Sequence, residues 1–116
     1  MAHNAGGSLQ QGVADAKLAA IWDFRVSPLF SKAERAALEL AIAASTQPNA
    51  VTDEHFAEMK RHWNEGQIVE IVAVISFFGF MNRYNDTMAT PLEDEPIEVA
   101  EKHLAKQGWE LGKHGR

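Results

Sequence analysis

Three side chains that could bind a metal recur along one predicted helix. His55, Glu58 and His62 stand at positions i, i+3 and i+7, so they share a helix face and could offer three ligands. This spacing matches neither the His-Glu-x-x-His motif of zinc enzymes nor the Glu-x-x-His motif of di-iron bundles. The apolar side chains of the same segment are Phe56, Met59 and Trp63. We therefore predict a polar outer face with no metal or cofactor, and we interpret His103 and His114 as surface residues.

A polar cluster directly follows the most apolar segment of the chain. It contains Asn82, Arg83, Asn85 and Asp86, whose polar groups need partners if the preceding helix is buried. The Arg83 guanidinium could form a forked ion pair with Asp86, Glu93 or Asp94, or with a carboxylate of another subunit. That interpretation makes Arg83 a structural residue at the helix end and the interface. The alternative, which stays open, makes Arg83 the substrate-binding residue of an anion site.

Composition excludes several classes of function. The 116 residues include no cysteine, so the chain provides no disulfide, thiolate ligand or thiol nucleophile of its own. A hydrophobic fraction of 46% is typical of a folded domain. The net charge is −5 and no basic stripe is present, so we predict no binding to nucleic acid. Residues 1–7 have neither the basic nor the apolar part of a signal peptide, and we predict a cytoplasmic protein.

Start signals divide the middle of the chain into helices. Ser31 with Glu34 fits a capping box, in which each side chain bonds to the backbone N–H of the other residue. Thr52 predicts a second helix start, and Asn64 followed by Gln67 predicts the start of the longest helix.

Further helices are predicted towards both ends. Residues 13–24 form an amphipathic pattern that stops before Pro28. A final helix begins near Pro96 and ends at Gly108, and we expect the tail behind it to pack on the domain or on a neighbouring subunit. The predicted fold is all-α: a single domain over residues 1–116, built as a bundle of five to six helices.

The longest predicted helix, residues 65–85, is apolar on every side over the run 68–81. Its length and start signal indicate a helix, although valine, isoleucine and phenylalanine favour strands. Its most apolar part, residues 71–81, is well short of the roughly 20 residues that a membrane span needs, so we predict no membrane insertion. A helix that is apolar all round must be buried all round, and so short a chain has few elements to cover it. We therefore predict a homo-oligomer formed through residues 65–85.

Four segments in order resemble the carboxymuconolactone decarboxylase-like proteins, which form one superfamily with alkylhydroperoxidase D. The segments are PLFSKAERAALELA at 28–41, VTDEHF at 51–56, QIVEIV at 67–72 and FMNRYN at 80–85. The resemblance covers residues 13 to 114 and implies an alkylhydroperoxidase D-like helical fold that assembles as dimers, trimers or hexamers. For redox members it also implies peroxidase and antioxidant activity.

The redox members of this superfamily use a Cys-x-x-Cys pair at a helix start, followed shortly by a histidine. The segment 2–13 resembles the helix that follows the second cysteine, so the pair would lie just before Met1 and His3 would match the catalytic histidine. Two explanations stay open: a gene that encodes a shortened protein, or a start placed at an internal methionine.

Three functions follow from these observations and stay open. The first is an oligomeric helical domain without redox activity as the chain stands. The second is part of an enzyme that reduces peroxides or disulfides with cysteines upstream of Met1. The third is lactone decarboxylation, for which no convergent set of residues is evident.

Overall fold

The computed structural model describes residues 2–115, apart from the side chains at positions 2, 3 and 6. These residues form six α-helices and three short 3₁₀ helices, and no β-strand occurs among them. The α-helices are α1 (Ala2–Gln10), α2 (Asp15–Ala19), α3 (Lys32–Ala44), α4 (Asp53–His62), α5 (Glu65–Met88) and α6 (Asp94–His103). The 3₁₀ helices are Ile21–Asp23, Ala105–Gln107 and Gly112–His114. The predicted all-α fold is confirmed.

The chain packs as two compact units, each with a buried cluster of its own. One unit combines both ends of the chain, Met1–Leu29 and Asn85–Arg116. The other is the continuous segment Phe30–Tyr84. We refer to them as the terminal unit and the central unit. The single domain over residues 1–116 stays a prediction.

Side-chain caps begin the helices of the central unit where the sequence predicts them. At α3 the Ser31 hydroxyl accepts from the Glu34 N–H at 3.1 Å, and a Glu34 carboxylate oxygen accepts from the Ser31 N–H at 3.2 Å. At α5 the Asn64 and Gln67 side chains accept from each other's backbone N–H groups, at 2.8 and 3.0 Å. Each cap pairs amides that a helix start leaves without partners, so the starts follow from local chemistry.

The core of the central unit lies where α3, α4 and α5 meet. Its buried residues are Ala36, Leu40, Met59 and Ile68. The small side chain of Ala36 allows close approach to α3. The Trp63 indole N–H donates to the Ala33 carbonyl at 3.0 Å, which fixes the end of α4 against α3.

In the terminal unit, α1 packs against α6 around Ala5, Ala100 and Leu104, and Leu18 packs onto the same cluster. The predicted helix over residues 13–24 is wrong in extent: it breaks into the short α2 and the 3₁₀ turn Ile21–Asp23. A continuous helix would place Leu18 and Phe24 about 120° apart around its axis. The break between the two short helices lets both side chains turn away from solvent: Leu18 packs on the cluster and Phe24 is buried.

The final helix begins where the sequence predicts it but is shorter than predicted: α6 ends at His103, and a separate 3₁₀ turn, Ala105–Gln107, leads to Gly108. Helix α6 begins at Asp94, so Pro96 lies in its first turn, where the missing N–H costs nothing. Gly108 ends the following 3₁₀ turn with φ at +86°, a left-handed conformation that glycine adopts without strain. Trp109 packs on the core of the terminal unit, which confirms that the tail is docked.

Helix α5 is buried on one side only. Ile68 is buried, and Ile71, Val72 and Ile75 pack on the central core. Val69 and Phe80, by contrast, are each 68% exposed. By length and composition alone α5 could cross a membrane, with almost none of its apolar stretch buried within the chain. The predicted burial on every side is thus not achieved by one copy, and the homo-oligomer stays a prediction.

Candidate functional site

Both site residues predicted from the sequence keep roles that stay predictions. His3 lies in α1, but its side chain is outside the described residues, so its catalytic role stays a prediction. Arg83 is exposed near the end of α5. Both of its predicted roles, in a helix-end ion pair and in an anion site, stay predictions.

The polar face of α4 is organised around the Glu58 carboxylate. One of its oxygens lies 3.0 Å from His62 Nε2, and the other accepts from the Arg61 guanidinium at 2.8 Å. The hydrogen bond with His62, followed by the nearby charge of Arg61, holds the pKa of Glu58 below its ordinary value. Glu58 is therefore an ion-paired carboxylate with both oxygens engaged.

His55 is the capping residue of α4 rather than a free imidazole. Its Nδ1 accepts from the Thr52 backbone N–H at 3.0 Å and lies 2.9 Å from the Thr52 hydroxyl. A backbone N–H can only donate, so Nδ1 carries a lone pair and a neutral ring carries its proton on Nε2. His55 thus takes the place that Glu34 has at α3. Among the described residues no group of three histidine, aspartate or glutamate side chains is placed to hold a metal.

A cleft of about 360 Å³ opens between α3 and α4. Its lining residues are Lys32, Arg35, Ala36, Glu39, Glu54, His55 and Glu58. The pKa of Glu54 is lowered by hydrogen bonds from its own backbone N–H and from the Thr52 side chain, so this carboxylate is charged at neutral pH. The cleft mixes two cations with three carboxylates, and no serine, threonine or cysteine side chain is among its lining residues.

Sequence reasoning identified only part of this cleft. It singled out the α4 residues His55 and Glu58 but not Lys32, Arg35 and Glu39 on α3. The available signal was the spacing of these three residues at i, i+3 and i+7, which places them on one helix face. Which face of α4 meets that surface depends on packing between helices, which the sequence does not state.

His114, interpreted from the sequence as a surface residue, is partly exposed and is held by specific partners. Its side chain is 20% exposed. Its Nδ1 lies 2.8 Å from the Thr90 carbonyl oxygen, and its Nε2 lies 2.9 Å from a carboxylate oxygen of Asp86. The Leu92 N–H donates to the His114 carbonyl at 3.1 Å. His114 therefore ties the C-terminal tail to the segment that follows α5.

The known proteins that this chain resembles are longer than it, and the chain matches about half of each. No family model matches the chain. The chain is 39% identical over 77 residues to an uncharacterized protein, YnjA, of Escherichia coli (strain K12), and the match covers 66% of this chain and 42% of YnjA. Two structures of the debrominase Bmp8 are similar with a TM-score of 0.81: the apo protein, and a cysteine-to-alanine variant in complex with 2,3,4-tribromopyrrole. Each is 35% identical, with 87% of this chain and 54% of that chain covered.

The chain therefore shares a helical fold with a debrominase and spans about half the length of that enzyme. This fold is consistent with the resemblance to the carboxymuconolactone decarboxylase-like superfamily. The comparisons add no support for peroxidase activity.

Proposed function

We propose that this chain is a self-associating helical domain of the carboxymuconolactone decarboxylase-like superfamily, cytoplasmic and without thiol chemistry of its own. The observation that carries the proposal is the exposed apolar surface of α5. Its large members are Val69, Val74, Phe77, Phe78, Phe80, Met81, Tyr84 and Met88, with exposed fractions from 37% to 68%. Contiguous apolar patches of this kind mark interaction surfaces on soluble proteins.

The size of this surface fits a protein interface. An aromatic side chain offers roughly 150–250 Å² of surface. Phe77, Phe80 and Tyr84 are each exposed by more than half, so together with the aliphatic members the patch amounts to several hundred Å². Each partner in a standard interface gives up roughly 800 Å². Covering the patch would remove from water an area of that order.

A lipid bilayer is a less suitable cover than protein. Although α5 as a whole is long and apolar enough to cross a membrane, its run 68–81 covers only about 21 Å, against roughly 30 Å of hydrocarbon. Glu70 lies within the run, and Asn82 and Arg83 follow it at once. One side of the helix is already packed on the central core, where Ile68 is buried. These facts fit better with an α5 that packs on its own core on one side and on another protein chain on the other.

The test measures the mass of the purified chain in solution by size-exclusion chromatography with light scattering. The variant Phe77→Glu/Phe80→Glu places charges on the α5 patch, and Val26→Glu is the matched control because Val26 is an exposed apolar residue outside α5. We expect an oligomer for the parent and the control and a folded monomer for the double variant. A monomeric parent chain contradicts the proposal, and so does a parent that binds vesicles of neutral lipid instead of itself.

A second candidate function rests on the similarity to Bmp8. At 35% identity and a TM-score of 0.81, the chain could supply the helical scaffold of an enzyme that acts on a halogenated pyrrole. The Bmp8 complex was obtained with a cysteine replaced by alanine, and this chain has no cysteine. We expect the 116-residue chain to bind 2,3,4-tribromopyrrole in a tryptophan-quenching titration if it retains such a pocket. No release of bromide is expected with or without added thiol. Bromide release would contradict the absence of enzymatic chemistry, and no binding would remove this candidate.

A further inference from the structure

We propose that the packing of the C-terminal tail against the end of α5 depends on a proton held at His114. The tail then packs more firmly below the pH at which this imidazole titrates than above it. The inference is independent of self-association and rests on what the two nitrogens of one ring face. We call His114 together with Asp86, Thr90 and Leu92 the tail contact.

Both nitrogens of His114 face an oxygen atom that accepts hydrogen bonds. Nδ1 lies 2.8 Å from the Thr90 carbonyl oxygen, and Nε2 lies 2.9 Å from a carboxylate oxygen of Asp86. A carbonyl and an ionised carboxylate have no hydrogen to donate, and a neutral imidazole carries only one N–H. A neutral ring therefore satisfies one side of the contact and turns a lone pair towards an oxygen on the other.

One additional proton completes the tail contact. The imidazolium ion donates from both nitrogens, to Thr90 and to Asp86 at once, and the bond to the carboxylate is then strengthened by charge. The same proton on the Asp86 carboxyl would instead leave a neutral ring that accepts at Nε2 and donates from Nδ1. In both forms a proton lies between Nε2 and Asp86. The packed tail thus holds one proton more than a neutral ring beside an ionised carboxylate.

Loss of that proton affects the tail because the ring has little access to water. The His114 side chain is 20% exposed, whereas that of Asp86 is 67% exposed. The carboxylate can turn into solvent, but a largely covered ring nitrogen left without a partner costs free energy. The Leu92 N–H donates to the His114 carbonyl at 3.1 Å, so displacement of the ring disturbs this backbone hydrogen bond as well.

The direction of the pH dependence follows from proton linkage. The state that binds more protons is favoured as the pH falls, so packing of the tail weakens as the pH rises through the titration of the ring. Other charged groups of the adjoining segments are Lys113 on the ring's own turn, Arg83 on α5, and Glu93 beyond Leu92. Their charges change the pH of this transition but place no proton between Nε2 and Asp86.

Two NMR measurements on the 116-residue chain test the proposal. The nitrogen resonances of the His114 ring report which nitrogens carry hydrogen, and the protection factor of the Leu92 amide against exchange reports packing of the tail. We expect both ring nitrogens to carry hydrogen at low pH and one to lose it as the pH rises. The Leu92 protection factor should fall about fivefold across the same transition, the worth of one net hydrogen bond.

The Asp86→Asn variant separates this mechanism from a general effect of pH. The asparagine amide nitrogen donates to the lone pair of a neutral ring, and its oxygen accepts from a protonated ring, so the contact is complete in either state. We expect Leu92 protection in this variant to stay constant across the transition. Glu110→Gln removes a negative charge at an exposed position of the tail. This matched control should keep the pH dependence of the parent.

Three results would overturn the proposal. The first is a constant Leu92 protection factor in the parent while the ring loses its proton. The second is a protection factor that rises with pH, which has the wrong sign. The third is a pH dependence that Asp86→Asn leaves unchanged, because the proton between Nε2 and Asp86 would then not be its cause.

Discussion

The imidazole groups of this protein act as structural hydrogen-bonding groups wherever their side chains have described partners. His55 caps α4, His62 engages Glu58, and His114 lies between a backbone carbonyl and a carboxylate. Each ring is matched to groups of fixed position, so it contributes to local order. A histidine that holds a helix end in this way is not available as a general base without losing that contact.

His114 offers the most direct test at this scale. The His114→Ala variant removes the contacts to Thr90 and Asp86, and we expect it to lower the free energy of unfolding by about 1 kcal/mol. Most of this should come from the bond to Thr90, because the Asp86 carboxylate is largely exposed and screened. Hydrogen exchange should show faster exchange of the Leu92 amide. Lys113→Ala, at an exposed neighbouring position, is the control. Unchanged protection of Leu92 would show that the tail is held by other contacts.

The ion pair at Glu58 predicts a pH dependence with a definite sign. The pKa of Glu58 is lowered in the folded chain, so the pair favours folding above the pH at which this carboxyl titrates in the unfolded chain. That contribution is lost as the pH falls through the folded pKa. Replacing His62 with alanine removes the principal cause, and we expect the pKa of Glu58 to rise towards its ordinary value. An NMR titration of the Glu58 carboxyl carbon measures it. A smaller rise is expected for Arg61→Ala, and equal or absent shifts would contradict the assignment.

At the scale of the helix, α3, α4 and α5 begin in the same way. In each, the side chain of a residue in the first turn accepts from the backbone N–H of the residue three positions before it. The first and third use glutamate and glutamine, whereas α4 uses His55 to accept from the Thr52 amide. An acceptor of suitable reach is the physical requirement, and an unprotonated Nδ1 satisfies it as a carboxylate oxygen does.

This equivalence makes an exchange experiment informative. The His55→Ala variant leaves the Thr52 amide without its side-chain acceptor, and we expect a loss of about 0.5–1.5 kcal/mol in urea unfolding. The His55→Glu variant restores an acceptor at the same position and should recover most of that loss. Equal destabilisation by both substitutions would indicate that His55 contributes through packing in the cleft instead.

At the scale of the whole molecule, the chain builds two small cores but leaves much of its longest helix uncovered. The buried clusters hold only a few side chains each, while the α5 patch retains large aromatic residues in water. Each large apolar side chain left exposed forgoes roughly 1.5–3 kcal/mol of burial. Association of copies recovers part of this free energy, so folding and assembly are expected to be linked.

That linkage predicts a stability that depends on concentration. For a dimer that dissociates on unfolding, a tenfold increase in chain concentration should add about 1.4 kcal/mol to the apparent stability, by mass action. We expect the thermal midpoint of the parent chain to rise with concentration. The Phe77→Glu/Phe80→Glu variant should show a constant midpoint, and Val26→Glu should behave as the parent. A midpoint independent of concentration in the parent would separate folding from assembly.

Features that depend only on residues close together in the chain could be predicted without the structure. The sequence predicted the helix starts near Ser31, Thr52 and Asn64, the left-handed glycine stop at Gly108 (which ends a 3₁₀ turn and not α6 itself), and the all-α class. Caps and glycine conformations act over three or four residues, so a linear pattern contains the necessary information.

Features that join distant parts of the chain could not be predicted, because they depend on how the helices pack. The break of the predicted 13–24 helix allows Leu18 and Phe24 inward, and His114 meets partners 24 and 28 residues away. The cleft between α3 and α4, and the side of α5 that stays exposed, depend on which faces meet. Helical periodicity shows that a residue lies on a face, but only packing determines which neighbour covers that face.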